Sequence, residues 1–148
     1  MSDDKRESAK VLTEALDRVG LRSTRQRDQV YEALLSMRTH PTAEEVFSKA
    51  RESMSTISLA TVYNCIETLV DCGLVKAVHR ERGPTRYCAN RSDHAHFHDT
   101  FSGEVMDVEM PGDVLQYLRM LVPPGYELDR VDLNFIGHRA EPSARPAR

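Results

Sequence analysis

Hydrophobic positions in the first seventy residues recur at three- and four-residue spacings, the period of helices buried along one face. Ala9, Leu12, Ala15, Leu16 and Val19 form one such stripe, predicting a helix over Lys5–Val19 that stops at Gly20. Ser23 or Thr24 can cap a second helix reaching Met37, with Val30, Leu34 and Leu35 turned inward. Pro41-Thr42-Ala43-Glu44-Glu45 reads as a capping box, Thr42 at the cap and Glu45 three residues on. The helix behind it buries Val46, Phe47 and Ala50 and runs to Arg51. Ser58 caps a fourth helix, with Val62, Ile66, Leu69 and Val70 as its stripe and Gly73 as its end.

Beyond Gly73 the period shortens. Leu74–His79 and Thr85–Ala89 flank the basic, turn-rich Arg80-Glu81-Arg82-Gly83-Pro84, which predicts a hairpin. Short helices followed by a hairpin are the plan of a winged helix-turn-helix. After Asn90-Arg91-Ser92 the pattern changes again. His94–Phe101 and Glu104–Met110 read as strands around Ser102-Gly103, Asp113–Leu121 as a short helix, and Glu127–Ile136 as a third strand through Leu128, Val131, Leu133 and Phe135. The expected class is α+β: a winged-helix domain over 1–89, a hinge over 90–92, a small α/β domain over 93–138 and a disordered tail over 139–148.

Charge sharpens this division. Residues 1–92 hold 15 Lys/Arg against 13 Asp/Glu, and residues 93–148 hold 5 against 10. Any phosphate backbone is therefore expected at the first domain and not the second. Met1–Gly20 lacks the apolar run of a signal peptide and no stretch is long and apolar enough for a membrane span, so a cytoplasmic location is expected. The three cysteines, at 65, 72 and 88, then read as reduced thiols, with Cys65 and Cys72 structural.

In the fourth helix, Ser58, Ala60, Thr61, Tyr63 and Asn64 lie at the N-terminal end, away from the buried stripe, where a recognition helix meets base edges and phosphates. Tyr63 can also pack on a thymine methyl. Arg22, Arg25 and Arg27 before and within the second helix, and Arg80 and Arg82 in the wing, suit a groove or phosphates. These are the candidate contacts to double-stranded DNA. The bland alternative is that they are ordinary polar surface residues.

Thr85–Asp107 holds a dense set of potential metal ligands. His94, His96 and His98 alternate, so a strand puts them on one face. Cys88 precedes them on the hairpin, Asp107 lies on the following strand, and His40 sits ahead of the third helix. His, Cys and carboxylate donors together suit zinc first, with iron(II), nickel and manganese also accommodated. His98 and Asp99 are weaker candidates for a second site. His79 and His138 have no supporting spacing. Cys88 with the nearby histidines and Asp107 could also form a Cys-His-Asp nucleophile, but nothing resembles an oxyanion hole or a phosphate-binding glycine loop, so no enzyme is expected.

His40-Pro41-Thr42-Ala43-Glu44-Glu45, Ser58-Leu59-Ala60-Thr61-Val62-Tyr63-Asn64, Gly73-Leu74-Val75 and Asp93-His94-Ala95-His96 together resemble the ferric uptake regulator superfamily. The resemblance implies a homodimeric bacterial transcription regulator with an N-terminal winged helix and a C-terminal α/β dimerisation domain. It implies one divalent metal per subunit (Zn, Fe or Mn) at a hinge site of His40, Cys88, His94, His96 and Asp107, and DNA contacts by Arg22 and Tyr63. The cysteine at 88 is similar to the zinc-sensing branch, whereas His40 with Asp107 is similar to the peroxide- and iron-sensing branches. Where many members hold a structural zinc between two cysteine pairs, this chain has Asp99 and Ser102 and lacks the C-terminal cysteine pair, so no such zinc is expected. The expected function is metal-dependent repression of metal-homeostasis or peroxide-stress genes. The alternatives are a metal-independent winged-helix regulator and one that responds to haem or thiol oxidation.

Overall fold

The computed structural model describes residues 3–37 and 39–140. Residues 141–148 of the expected tail lie outside the described residues. The chain divides into two compact units between Arg91 and Ser92.

The first unit is built from α1 (Asp3–Arg18), α2 (Arg25–Ser36), α3 (Ala43–Ser53), α4 (Leu59–Asp71) and a hairpin of β1 (Lys76–Val78) and β2 (Arg86–Cys88). Hydroxyl caps start three of its helices. Thr24, Thr42 and Ser58 accept from the backbone N–H of Arg27, Glu45 and Thr61 at 3.2, 3.2 and 3.1 Å. Gly73, at φ +81°, ends α4 where a side chain would be strained, and Leu74 N–H returns to Leu69 O. Leu12, Leu16, Val30, Leu34, Val46, Val62, Ile66 and Leu69 are all but fully buried in one core. Val30 and Leu34 are buried as expected but Leu35 is exposed, because α2 turns its 30/31/33/34 face, with Tyr31, to the core.

β1 and β2 pair antiparallel in the register Lys76↔Cys88, Ala77↔Tyr87 and Val78↔Arg86. The segment ahead of α3 lies against the free edge of β2. Thr42 bridges to Arg86, and Tyr87 N–H donates to Pro41 O at 2.9 Å. The wing strand thus carries Cys88 beside the turn that carries His40.

The second unit is a three-stranded sheet in the order β4-β3-β5, with β3 (His94–Asp99) central, β4 (Val105–Glu109) antiparallel and β5 (Asn134–Gly137) parallel to it. α5 (Gly112–Arg119) lies in the connection from one edge to the other. The strand expected over Glu127–Ile136 is short: β5 begins at Asn134. With Asn134 opposite His96, residues 127–131 would lie before the start of β3 and have no strand to pair with. No helix among the described residues is long and apolar enough to cross a membrane.

Candidate metal centre and nucleic-acid face

Central β3 and its antiparallel neighbour bring three donor atoms of the second unit together. His94 and His96 point to the same face, as alternation requires, and both are buried. The register sets Asp107 directly opposite His96. His94 Nε2 and His96 Nε2 lie 3.1 Å apart, and Asp107 Oδ1 lies 3.3 and 3.4 Å from them. The other nitrogen of His94 is already used, its Nδ1–H donating to Ser92 O at 2.6 Å. In the neutral ring this fixes the tautomer and leaves the Nε2 lone pair facing His96 and Asp107, the arrangement of a histidine ready to bind a metal.

Within the first unit, His40 and Cys88 are both buried and their potential ligand atoms lie within 4.8 Å of each other. His40 is held by its main chain. Its carbonyl accepts from Arg86 Nη1 at 2.8 Å, and Arg86 Nη1 also lies 3.7 Å from Glu45 Oε1.

His98 and Asp99 are not brought together. They point to opposite faces of β3, and each has other work. His98 Nε2 is 2.8 Å from Asn134 Oδ1 on β5. Asp99 Oδ1 accepts from the N–H groups of Phe101 and Ser102 at 2.9 and 3.3 Å, and these bonds pull its carboxyl below the ordinary range. Ser102 Oγ in turn accepts from Glu104 N–H at 3.1 Å. Hydrogen bonds therefore close this turn at the two positions where the family resemblance would set cysteines. His79 Nδ1 meets Thr85 Oγ1 at 3.3 Å across the base of the wing.

On the candidate nucleic-acid face, Ala60, Tyr63 and Asn64 of α4 are exposed, as are Arg22, Arg25 and, in the wing tip, Arg82; Arg80 is half-buried. Several of the expected contacts are committed within the protein. Ser58 and Thr61 join through their hydroxyls at 2.8 Å in the α4 cap. Arg27 Nη1 donates to Arg22 O at 2.6 Å and braces the loop ahead of α2. The Tyr63 hydroxyl donates to Glu44 Oε1 at 2.9 Å. Sequence reasoning missed Arg86 and Glu44 as supporting residues. Arg86 stands one strand repeat from Cys88, and Glu44 lies inside the capping motif, but neither position alone signals a partner forty-six or nineteen residues away.

Residues 18–135 match the profile of the ferric uptake regulator family. This chain belongs to that family. Among similar proteins, the peroxide-responsive repressor PerR of Staphylococcus aureus is 32% identical over 97 residues, 66% of each chain. The match thus spans just under two thirds of that relative's length. The ferric uptake regulator of Pseudomonas aeruginosa, solved with manganese, is 25% identical with a TM-score of 0.75, covering 90% of this chain and 98% of its own. The ferric uptake regulator of Helicobacter pylori shares the fold with a TM-score of 0.75 at 18% identity, covering 97% of this chain and 96% of its own. The fold of these structures is the helical wing-bearing unit and small sheet unit described above.

Proposed function

We propose that this family member is a metal-dependent repressor that binds operator DNA as a homodimer in the cytoplasm. A divalent ion would be held by His40, Cys88, His94, His96 and Asp107. The observation that carries the reading is the convergence of two imidazole nitrogens and a carboxylate oxygen within 3.4 Å, with the His94 tautomer preset by Ser92. Nitrogen, oxygen and thiolate donors fit Zn, Fe(II) or Mn. When bound, such an ion would supply a positive centre for the lone pairs of these donors.

The chain's own residues supply the coupling. His94 and His96 are fixed by β3, Asp107 by its register on β4, and His40 and Cys88 by the wing strand. In this reading the five donors share one ion, so occupancy and DNA binding would be one linked equilibrium and metal and DNA affinities would rise together. Ala60, Tyr63 and Asn64 then meet base edges, while Arg22, Arg25, Arg82 and Arg80 serve phosphates or a groove. The reading assigns regulation and not catalysis.

Selection from randomised duplex DNA tests it, run with Zn²⁺, anaerobic Fe²⁺ or Mn²⁺ and with chelator. Wild type should enrich a two-fold symmetric motif only with metal. His96→Ala should enrich none while remaining dimeric. The same motif enriched by His96→Ala with the same metal dependence rejects the site.

A further inference from the structure

The potential ligands of the first unit are unequal in their support. Cys88 is carried by a paired strand, whereas His40 stands in the turn ahead of α3. The edge of β2 holds that turn by two main-chain contacts, and one side chain reaches His40 itself. Arg86 bridges by its main chain to Thr42, its Nη1 donates to the His40 carbonyl at 2.8 Å, and the same nitrogen lies 3.7 Å from Glu45 on the first turn of α3. Its neighbour Tyr87 donates its N–H to Pro41 O at 2.9 Å. Arg86 Nε is buried, and no hydrogen-bond acceptor meets it among the described residues. Holding a guanidinium in such a place is unfavourable unless its other contacts compensate.

We infer that Arg86 is a positioning residue for metal binding: it holds the main chain of His40 beside Cys88, so that these two donors are preformed before an ion arrives. The inference rests on the proposed metal site. The sign of its electrostatics isolates it. A cation beside a metal site opposes metal binding, so removing Arg86 should strengthen binding if charge alone mattered. If Arg86 acts by holding His40, removing it weakens binding, as the loss of groups that orient metal ligands does, by about 10- to 100-fold. Glu45 neutralises part of the opposing charge and gives α3 a fixed relation to the same guanidinium.

The test is Co²⁺ binding to the full chain, followed by absorption. The variants are Arg86→Ala, His40→Ala and the double variant. Arg86→Met keeps the apolar stem packed without the donor and carries the same test should the alanine variant fail to fold. The expected result is that Arg86→Ala or Arg86→Met and His40→Ala each weaken Co²⁺ binding about 10- to 100-fold. The double variant should be no weaker than His40→Ala, because both changes remove the same donor. The thiolate-to-cobalt charge-transfer band of Cys88 should persist in every variant, while the visible ligand-field bands shift as one nitrogen is lost. Wild-type affinity in the Arg86 variants, losses that multiply in the double variant, or an unchanged His40→Ala would overturn the inference. Failure of wild type to bind Co²⁺ at all would instead overturn the metal site.

Discussion

The Tyr63 hydroxyl donates a hydrogen bond to Glu44 Oε1 across 2.9 Å, joining the exposed face of α4 to the first turn of α3. That bond, with the nearby carboxylate charge, raises the Tyr63 pKa above its ordinary 10.0. A raised folded pKa stabilises the fold below about pH 10 and ceases to do so as pH rises through the folded value. At neutral pH the hydroxyl is engaged by Glu44, so in the proposed DNA complex it is the ring that Tyr63 would offer. Tyr63→Phe should retain the motif selected from randomised duplexes, and Tyr63→Ala should lose discrimination at one base position in each half-site. A Phe variant as indiscriminate as the Ala variant would mean that the hydroxyl itself reads DNA.

In the proposed site, an ion held by His94, His96 and Asp107 would stabilise the folded state. Free metal at a hundred times its dissociation constant adds about 2.7 kcal/mol to the folded state. Thermal unfolding of the wild type should shift upward by several degrees with Zn²⁺ and return with chelator. His94→Ala and Asp107→Ala should each lose most of the shift. A full shift in both variants would place the bound ion elsewhere.

Helices and hairpin were legible because their signals are local: hydroxyl caps at Thr24, Thr42 and Ser58, apolar stripes, and glycines at 20 and 73. Alternation also gave the shared face of His94 and His96. It could not separate His98 from them, since that depended on Asn134 arriving beside β3 from thirty-six residues away. The over-long strand before Asn134 had the same origin. Apolar alternation marks a candidate strand, but a strand needs a partner in register, and β3 begins too late to pair with residues 127–131. Arg86 was invisible for a related reason: its acceptor, the His40 carbonyl, lies forty-six residues away in the chain.

The turn at Asp99 should have a pH signature. Its carboxyl sits below the ordinary range chiefly because Phe101 and Ser102 N–H groups donate to it. A lowered folded pKa means that the stabilisation is complete above the unfolded value near 3.8 and is lost as pH falls through the lower folded value. Asp99→Ala should therefore be less stable than wild type to urea at pH 7, and the difference should shrink below about pH 4. A difference that does not depend on pH would indicate that lost packing, and not the charged acceptor, is responsible.

Ser58 caps the helix that carries the candidate DNA contacts, accepting from Thr61 N–H at 3.1 Å. Removing a hydroxyl cap costs about 1 kcal/mol. Ser58→Ala should lower the urea midpoint accordingly, and Ser58→Asp should preserve it, since a carboxylate also accepts at a helix N-terminus. Ser58→Asp should nevertheless weaken DNA binding, because its charge would face phosphates. Normal DNA affinity in the aspartate variant would move the start of α4 away from the backbone of the duplex.

The second unit leaves α5 without a single buried residue. Val114, Tyr117 and Leu121 fall at three- and four-residue spacings, with Met120 beside them, and Tyr117, Met120 and Leu121 are 63%, 76% and 64% exposed. An apolar stripe at helical period is the mark of a helix with a covered face. Side chains of this size grouped on one short helix and the turn that ends it exceed the scattered exposure normal for a surface. A second copy of the unit is the occupant that the homodimer reading requires. Tyr117→Glu combined with Met120→Glu should then shift sedimentation from dimer to monomer, because charge would enter a desolvated interface. The monomer should keep the helical content of the first unit yet bind a symmetric DNA site far more weakly, having lost its paired recognition helix. A double variant that still sediments as the wild type would show that α5 does not hold the subunits together.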